Sequence, residues 1–333
     1  MTRWQPIAQP GAARGKAMNW VKQSFIYGPG AKAHGEPPWM KSHAQVPTAL
    51  VCEDRIRIYI TVRPEQRTSL VTFIDVALDD PSRVLYVHKE PILPLGAPGT
   101  FDEFGIMPAA VVRHGGEVWL YTTGWQRGQT VPYLNAIGLA VSRDGGVTFS
   151  RPFAGPVLST THLEPFSTMS PSIIKREGVW QMWYGSGVDW MKAGDKYEPL
   201  YYIYYAHSRD GVVWERPGIC CIPGASGQEA TTRPCVLWEK GRYHMWFSYR
   251  GCADFRGGRG SYRIGYASST DGQSWQRDDS NAGIDVSTEG WDAEMVAYPN
   301  IVDTPYGRYL FYNGNDFGSG GFGYATMPKG EKK

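Results

Sequence analysis

Apolar and polar residues alternate along this chain in short runs, and no stretch holds a helical period long enough to compete. RIRIYITVR (55–63), EVWLYTTGW (117–125), VWQMWYGSG (179–187), RYHMWFSYR (242–250) and RYLFYNGND (308–316) are aromatic and β-branched, as strands are. Before each lies a shorter apolar run built on a proline: VPTALV, MPAAVV, SPSIIK, RPCVLW and YPNIVD. Those prolines, Pro47, Pro108, Pro171, Pro234 and Pro299, are 61, 63, 63 and 65 residues apart. Each reads as opening its strand, where the missing amide donor does least harm. The links ED, HGG, REG, EKG and TPYG are hairpin turns. A third run follows in each copy: SLVTFIDVAL, AIGLAVS, YYIYYAHS, YRIGYASS and GFGYATM.

Antiparallel strands repeated at roughly 60 residues describe a propeller blade. The pattern therefore predicts an all-β protein, a five-bladed β-propeller with four antiparallel strands per blade. It forms a single domain over 19–327, with an N-terminal arm at 1–18 and a C-terminal tail at 328–333. The fifth copy stops after its third strand. NWVKQSFIYG (19–28) is expected to supply the missing fourth, so that the chain ends close the ring and no sheet edge stays open.

Strand alternation also gives each loop a face. Hairpins 1–2 and 3–4 lie on the bottom; loops 2–3 and the blade-to-blade connections lie on top. SRDGGVTF (142–149), SRDGVVW (208–214) and STDGQSW (269–275) are 3–4 turns and belong to the bottom. There Ser and Asp cap turn amides and the aromatic fills the gap between blades.

The balance of 34 basic and 32 acidic residues gives no reason to expect nucleic acid or a membrane surface as partner. No run of about 18 apolar residues could span a membrane. The five cysteines, Cys52, Cys220, Cys221, Cys235 and Cys252, are odd in number and form no C-x-x-C pair, so neither a disulfide framework nor zinc is indicated. MTRWQPIAQPGAARGKAMNW lacks the apolar core of a signal peptide, which leads us to expect a cytoplasmic protein. Aromatics at 14% suit a carbohydrate ligand as well as a core.

Candidate chemistry belongs to the top. The connections TFDEFGIMP, HLEPFSTMSP, GQEATTRP and GWDAEMVAYP carry Asp102, Glu103, Glu164, Glu229, Asp292 and Glu294. Glu103, Glu229 and Glu294 each stand five residues before the blade proline, which should place them on one rim. Converging carboxylates can divide into a protonated acid and an ionised base or nucleophile, as glycoside cleavage requires. Solvated loop acids, or acids paired with nearby arginines, are the plainer reading. The 2–3 loops add Arg63, Trp125, Asp189, Trp190, Arg250, Asn313, Asn315 and Asp316, and Arg233 and Tyr298 precede blade prolines. Arg233 and Arg250 could clamp a carboxylate, phosphate or sulfate, or pair internally with Glu229 and Asp254. His43 and His162 could bind metal or act in proton transfer, with His43 also a candidate to contact substrate, and hydrogen-bonding loop residues are the plainer reading. GSGGFG (318–323) leads into a strand and has no phosphate-loop context, and no motif identifies a cofactor or metal.

The five repeats, their S-x-D-G-x-x-W turns, RPCVLWEKGRYHMWFSYR and YLFYNGNDFGSGGFGYA together resemble the five-bladed propeller glycosidase superfamily. That group includes glycoside hydrolase families 43, 32, 68 and 130 and uncharacterised relatives from bacterial polysaccharide gene clusters. The resemblance covers about 19–327 and implies the fold and a glycosidase-like function on a sugar or sugar conjugate. In those hydrolases the acids stand one or two residues before the blade proline. Here the pairs are Gln45 and Val46, Ile106 and Met107, Met169 and Ser170, Thr232 and Arg233, and Ala297 and Tyr298. None is acidic. Chemistry has then moved to the upstream carboxylates, or the chain binds sugar without cleaving it. A phosphorylase or transferase holding phosphate on Arg233 and Arg250 is a third expectation.

Overall fold

The computed structural model describes residues 19–65, 68–256 and 260–327. The arm expected over 1–18 and the tail over 328–333 lie outside the described residues. The chain enters as β1 (Val21–Tyr27) and then lays down blade 1: β2 (Ser42–Val51), β3 (Arg55–Arg63), β4 (Leu70–Ala77) and β5 (Val84–Val87). Blade 2 is β6 (Gly105–His114), β7 (Glu117–Arg127) and β8 (Tyr133–Ser142). Bridges Val141↔Ser150 and Ile137↔Leu158 stand where its fourth strand would run. Blade 3 is β9 (Thr168–Arg176), β10 (Val179–Ala193), β11 (Lys196–Ser208) and β12 (Cys220–Ile222). Blade 4 is β13 (Glu229–Glu239), β14 (Arg242–Gly251), β15 (Arg263–Ser269) and β16 (Gln276–Arg277). Blade 5 is β17 (Ala297–Asp303), β18 (Arg308–Asn313) and β19 (Phe322–Met327), and β1 pairs antiparallel with β19 as its fourth strand. The ring closes as the sequence predicts.

The core lies between blades. Tyr59 and Phe73 of blade 1 pack with Leu120 and Phe149 of blade 2. Tyr121 and Ile137 pack with Trp180 and Met182 of blade 3, and Trp183 and Tyr205 with Met245 and Phe247 of blade 4. Trp246 meets Leu310, Tyr312 and the N-terminal Trp20, and Phe311 and Tyr324 return to Ile58 and Ile74 of blade 1.

The Ser-x-Asp turns lock these interfaces from below. Asp144 accepts hydrogen bonds from the amides of Val147 and Thr148 and from the Thr148 and Ser142 hydroxyls. Each turn then offers a glycine carbonyl to the preceding blade. Tyr59 Oη donates to Gly146 O (2.7 Å), Tyr121 Oη to Gly211 O (2.8 Å) and Trp183 Nε1 to Gly272 O (2.7 Å). Phe149, Trp214 and Trp275 pack edge-on against Tyr59, Tyr121 and Trp183. These are turn functions, as the sequence suggests.

The blade prolines lie inside the first strands, not at their starts. At each one the register slips: between Gln45 and Thr48, Pro108 and Ala110, Thr232 and Cys235, Ala297 and Asn300, and opposite Trp183–Gly185 in blade 3. A bulge on the innermost strand is a place where a missing donor does no damage. In four blades the residue before the proline is left-handed: Val46 (φ 50°), Ser170 (51°), Arg233 (49°) and Tyr298 (59°). Both the following proline and the side chain disfavour that conformation, so the surrounding structure must enforce it. Side-chain oxygens of the neighbouring blade do so, accepting from the bulge amides: Asn313 from Val46, Thr123 from Ser170 and Ser248 from Tyr298, each at 2.8 Å.

Candidate functional site

Four of the six candidate carboxylates take part in one repeated arrangement. Each leaves a blade connection and meets a cation on the outermost strand of the blade it is entering. Asp102 pairs with Arg151 (2.6 Å), Glu229 with Arg277 (2.7 Å) and Asp292 with Lys22 (2.7 Å). Glu164 lies 3.7 Å from Arg216 and accepts from the Tyr184 and Ser186 hydroxyls. The cations share a signature: each stands two residues after the aromatic of its turn, as Phe149-Ser-Arg151, Trp214-Glu-Arg216 and Trp275-Gln-Arg277. Trp20-Val-Lys22 repeats it on the N-terminal strand, and Trp20 packs edge-on against Trp246 as Trp275 does against Trp183. The acids stand six, seven, five and seven residues before their prolines, so the shared offset of Glu103, Glu229 and Glu294 is not the one these pairs follow. Glu103 caps the Gly99 amide (2.7 Å), and the Glu294 side chain is exposed.

The axis is different. The 2–3 loops and first strands bring together Arg63 (blade 1), Tyr133 (blade 2), Glu198 and Tyr201 (blade 3), Arg250, Phe255, Arg256 and Tyr262 (blade 4), and Tyr298 and Phe317 (blade 5). Arg250 is 2% exposed. Its Nε donates to the Tyr201 and Tyr262 hydroxyls (3.0 and 3.2 Å), and Nη2 donates to Pro199 O (2.9 Å). Its guanidinium stacks 3.8 Å from the Phe255 ring centre. Tyr201 and Tyr262 share a 2.6 Å hydrogen bond, and Tyr262 packs on Tyr298 and Phe317. Arg63 donates to Gln45 Oε1 (3.0 Å). Glu198 is held by Arg256 through both oxygens.

Positive charge is thus in excess here. Among the described residues, Arg63, Arg233 and Arg250 make no ion pair with a carboxylate, and Glu198 is the acid bonded into the group. Neither internal pairing expected from sequence forms, since Glu229 is taken by Arg277 and Asp254 accepts from the Gly260 amide. Burial lowers the Arg63 pKa, with Tyr298 opposing that and Arg256 adding to it. Burial and the adjacent Arg63 push the His43 imidazole down to about 4. Burial raises the Tyr133 phenol to about 12 and holds the Tyr298 phenol well above its ordinary value.

The other expected residues fall around this centre. Trp190 packs edge-on against Tyr133 at 5.6 Å, and Trp125 donates to the Ser69 hydroxyl (2.9 Å). Asn313 is a buried brace that donates to Ala44 O and Gly321 O. Asp316 and Asn315 line a cleft with Phe25 and Trp291 whose lining contains no arginine. His162 is exposed. Sequence reasoning missed Tyr133, Glu198, Tyr201, Phe255, Arg256, Tyr262 and Phe317. Their signal was their place in or beside the 2–3 loops, since those loops all open on the top face. Among the described residues no group of three or more His, Cys, Asp or Glu is arranged to hold a metal. No described helix is long and apolar enough to cross a membrane.

No family model matches the chain. Among solved structures, a glycoside hydrolase superposes with a TM-score of 0.69 at 15% identity, covering 93% of this chain and 92% of its own. A BT0996 RGII complex gives 0.67 at 16%, covering 92% of each, and a thermostable family-43 glycoside hydrolase gives 0.60 at 14%, covering 86% and 88%. At such identities the likeness is one of fold: these are glycoside hydrolases and related proteins on the five-bladed propeller. Two proteins of Mycobacterium tuberculosis are nearer in sequence. The uncharacterized protein MT1551 (strain CDC 1551 / Oshkosh) and the uncharacterized protein Rv1502 (strain ATCC 25618 / H37Rv) are each 38% identical over 312 residues, 93% of this chain and 99% of theirs. The chain therefore belongs to the family of these two mycobacterial proteins, and it has the propeller fold of the glycoside hydrolases.

Proposed function

We propose that this protein recognises an anionic carbohydrate in the funnel on its top face. The ligand is a sugar or sugar conjugate bearing a carboxylate, phosphate or sulfate. One observation carries this reading: Arg63 and Arg250 stand among the tyrosines at the axis without a carboxylate partner, while Asp102, Glu164, Glu229 and Asp292 on the perimeter are paired. A buried cation without a counter-charge is costly, and a ligand anion would relieve that cost. Arg63 supplies the fork that grips the anion. Tyr133 and Tyr298, kept protonated by burial, donate to sugar oxygens and offer ring faces.

Glycoside hydrolysis is a second reading, favoured by the glycoside hydrolases among the fold's neighbours. It needs two carboxylates flanking the bond, about 5–5.5 Å apart for retention or about 6.5–9.5 Å for inversion. Asp102, Glu164, Glu229 and Asp292 each serve a separate blade junction, and Glu103 caps a turn. Of the carboxylates, Glu198 is the one beside the tyrosines, and a lone carboxylate locked to Arg256 is poorly placed to exchange protons. Binding without turnover is accordingly the reading the geometry supports best. All five cysteines are free thiols, which supports a reducing compartment and hence the cytoplasm.

The test is calorimetric titration with uronates, sugar phosphates and their neutral counterparts, followed by long incubation with the corresponding glycosides. Binding of the charged sugars with no product supports the proposal. Turnover that is lost in Glu198→Gln replaces it with the hydrolytic reading.

A further inference from the structure

Arg233 stands apart from the sugar-facing group and poses its own problem. It is 1% exposed, and its left-handed backbone beside Pro234 aims it from blade 4 at the axis of the ring. Nη1 donates to Ala109 O of blade 2 (2.5 Å); Nη2 donates to Pro47 O (3.3 Å) and to the Thr48 hydroxyl (2.9 Å) of blade 1. The side chain thus spans three blades, and every partner is neutral. Its third nitrogen, Nε, carries an N–H that is buried and has no acceptor, and the hydroxyl of the preceding residue, Thr232, is likewise buried and unpartnered.

A guanidinium normally leaves water only for a carboxylate or phosphate. Here burial lowers the pKa to about 10, with Cys235 and Tyr298 opposing weakly, so the group is still charged near neutrality. The fold holds an uncompensated cation at its centre, in a backbone conformation that itself costs on the order of 1–3 kcal/mol.

We propose that Arg233 is one wall of an axial anion site, and that the site takes a small inorganic monoanion, chloride under cellular conditions. The anion accepts from the Arg233 Nε–H and neutralises the guanidinium. Arg233 is only 1% exposed, so nothing carrying a bulky substituent can reach its Nε–H, and this site differs from the sugar-facing surface around Arg63. A bound halide would tie blades 1, 2 and 4 together through the cation they share.

The experiment replaces chloride with bromide. Crystals of the full chain grown in sodium bromide are measured at the bromine absorption edge. Unfolding midpoints are recorded in parallel against rising sodium chloride, with sodium methanesulfonate holding ionic strength constant. The proposal expects an anomalous peak in contact with the Arg233 guanidinium, and a melting temperature that climbs with the logarithm of chloride concentration. Arg233→Met removes the chloride dependence. If that variant does not fold, the wild-type peak and salt series still decide. An axis with no anomalous peak, together with equal melting in chloride and methanesulfonate, would overturn the site.

Discussion

The perimeter of this propeller and its axis handle charge in opposite ways. On the perimeter Asp102, Glu164, Glu229 and Asp292 each face a cation on the strand that follows the turn aromatic, and the device repeats at four junctions. At the axis Arg63, Arg233 and Arg250 share tyrosines, amides and carbonyls. The perimeter is neutral because it is architecture: each pair fastens one connection to the outer edge of the next blade. The axis carries surplus charge, and on the proposed reading its neutralising partner is a ligand rather than part of the fold.

Removing one half of a perimeter pair should give the largest effect. Asp292→Ala leaves Lys22 without its partner at the junction that closes the ring, and should cost about 3–5 kcal/mol in urea unfolding. A loss well under 1 kcal/mol would reduce the pair to surface decoration. Arg63→Gln should leave stability nearly unchanged and weaken binding of a uronate or sugar phosphate at least about tenfold, or about 1.4 kcal/mol. Neutral sugars should respond little to that change, and rising salt should narrow the gap between charged and neutral ligands.

Asp144→Ala tests the bottom turns and should cost about 1–2 kcal/mol, the scale of a lost capping side chain. Burial works to raise the Asp144 pKa, but hydrogen bonds from Thr148, Ser142 and Val147 outweigh it and hold the carboxyl below its usual range. Its stabilisation is therefore complete above the unfolded value near pH 4 and is lost as pH falls through the folded one. The gap between wild type and Asp144→Ala should close in strong acid. His43 acts at milder pH. Its folded pKa of about 4 lies below the unfolded value near 6.5, so between them the unfolded chain binds the extra proton. Wild-type stability should be at its plateau above about pH 6.5 and decline toward pH 4, and His43→Gln should flatten that slope. Smallest of all, Glu294→Gln changes an exposed side chain and should stay within about 0.5 kcal/mol.

The blade count, the bottom-face turns and the closure by residues 19–28 could be read from the sequence because they rest on local periodicity and turn chemistry repeated five times over. The perimeter pairs could not, because their partners are 48 to 270 residues apart in sequence, Glu229 with Arg277 at one end and Asp292 with Lys22 at the other. The aromatic-x-cation signature is visible once the turn is seen as a ruler for position, and it explains why those acids recur before four of the five blade prolines. The funnel was half legible. Arg250 follows from blade register, whereas the bulge at each proline breaks the alternation that would have said which way Arg233 and Tyr298 point. Glu198 and Arg256 lie in long 2–3 connections, where strand register gives no guidance.

The most direct test of the contrast is a calorimetric comparison of glucuronate and glucose 1-phosphate with glucose, on wild type and on Arg63→Gln at low salt. The wild type should bind at least one of the charged sugars at least about tenfold more tightly than glucose, and Arg63→Gln should abolish the preference. Equal binding of charged and neutral sugars by the wild type, or a preference untouched by Arg63→Gln, would contradict a funnel whose surplus charge awaits an anionic ligand.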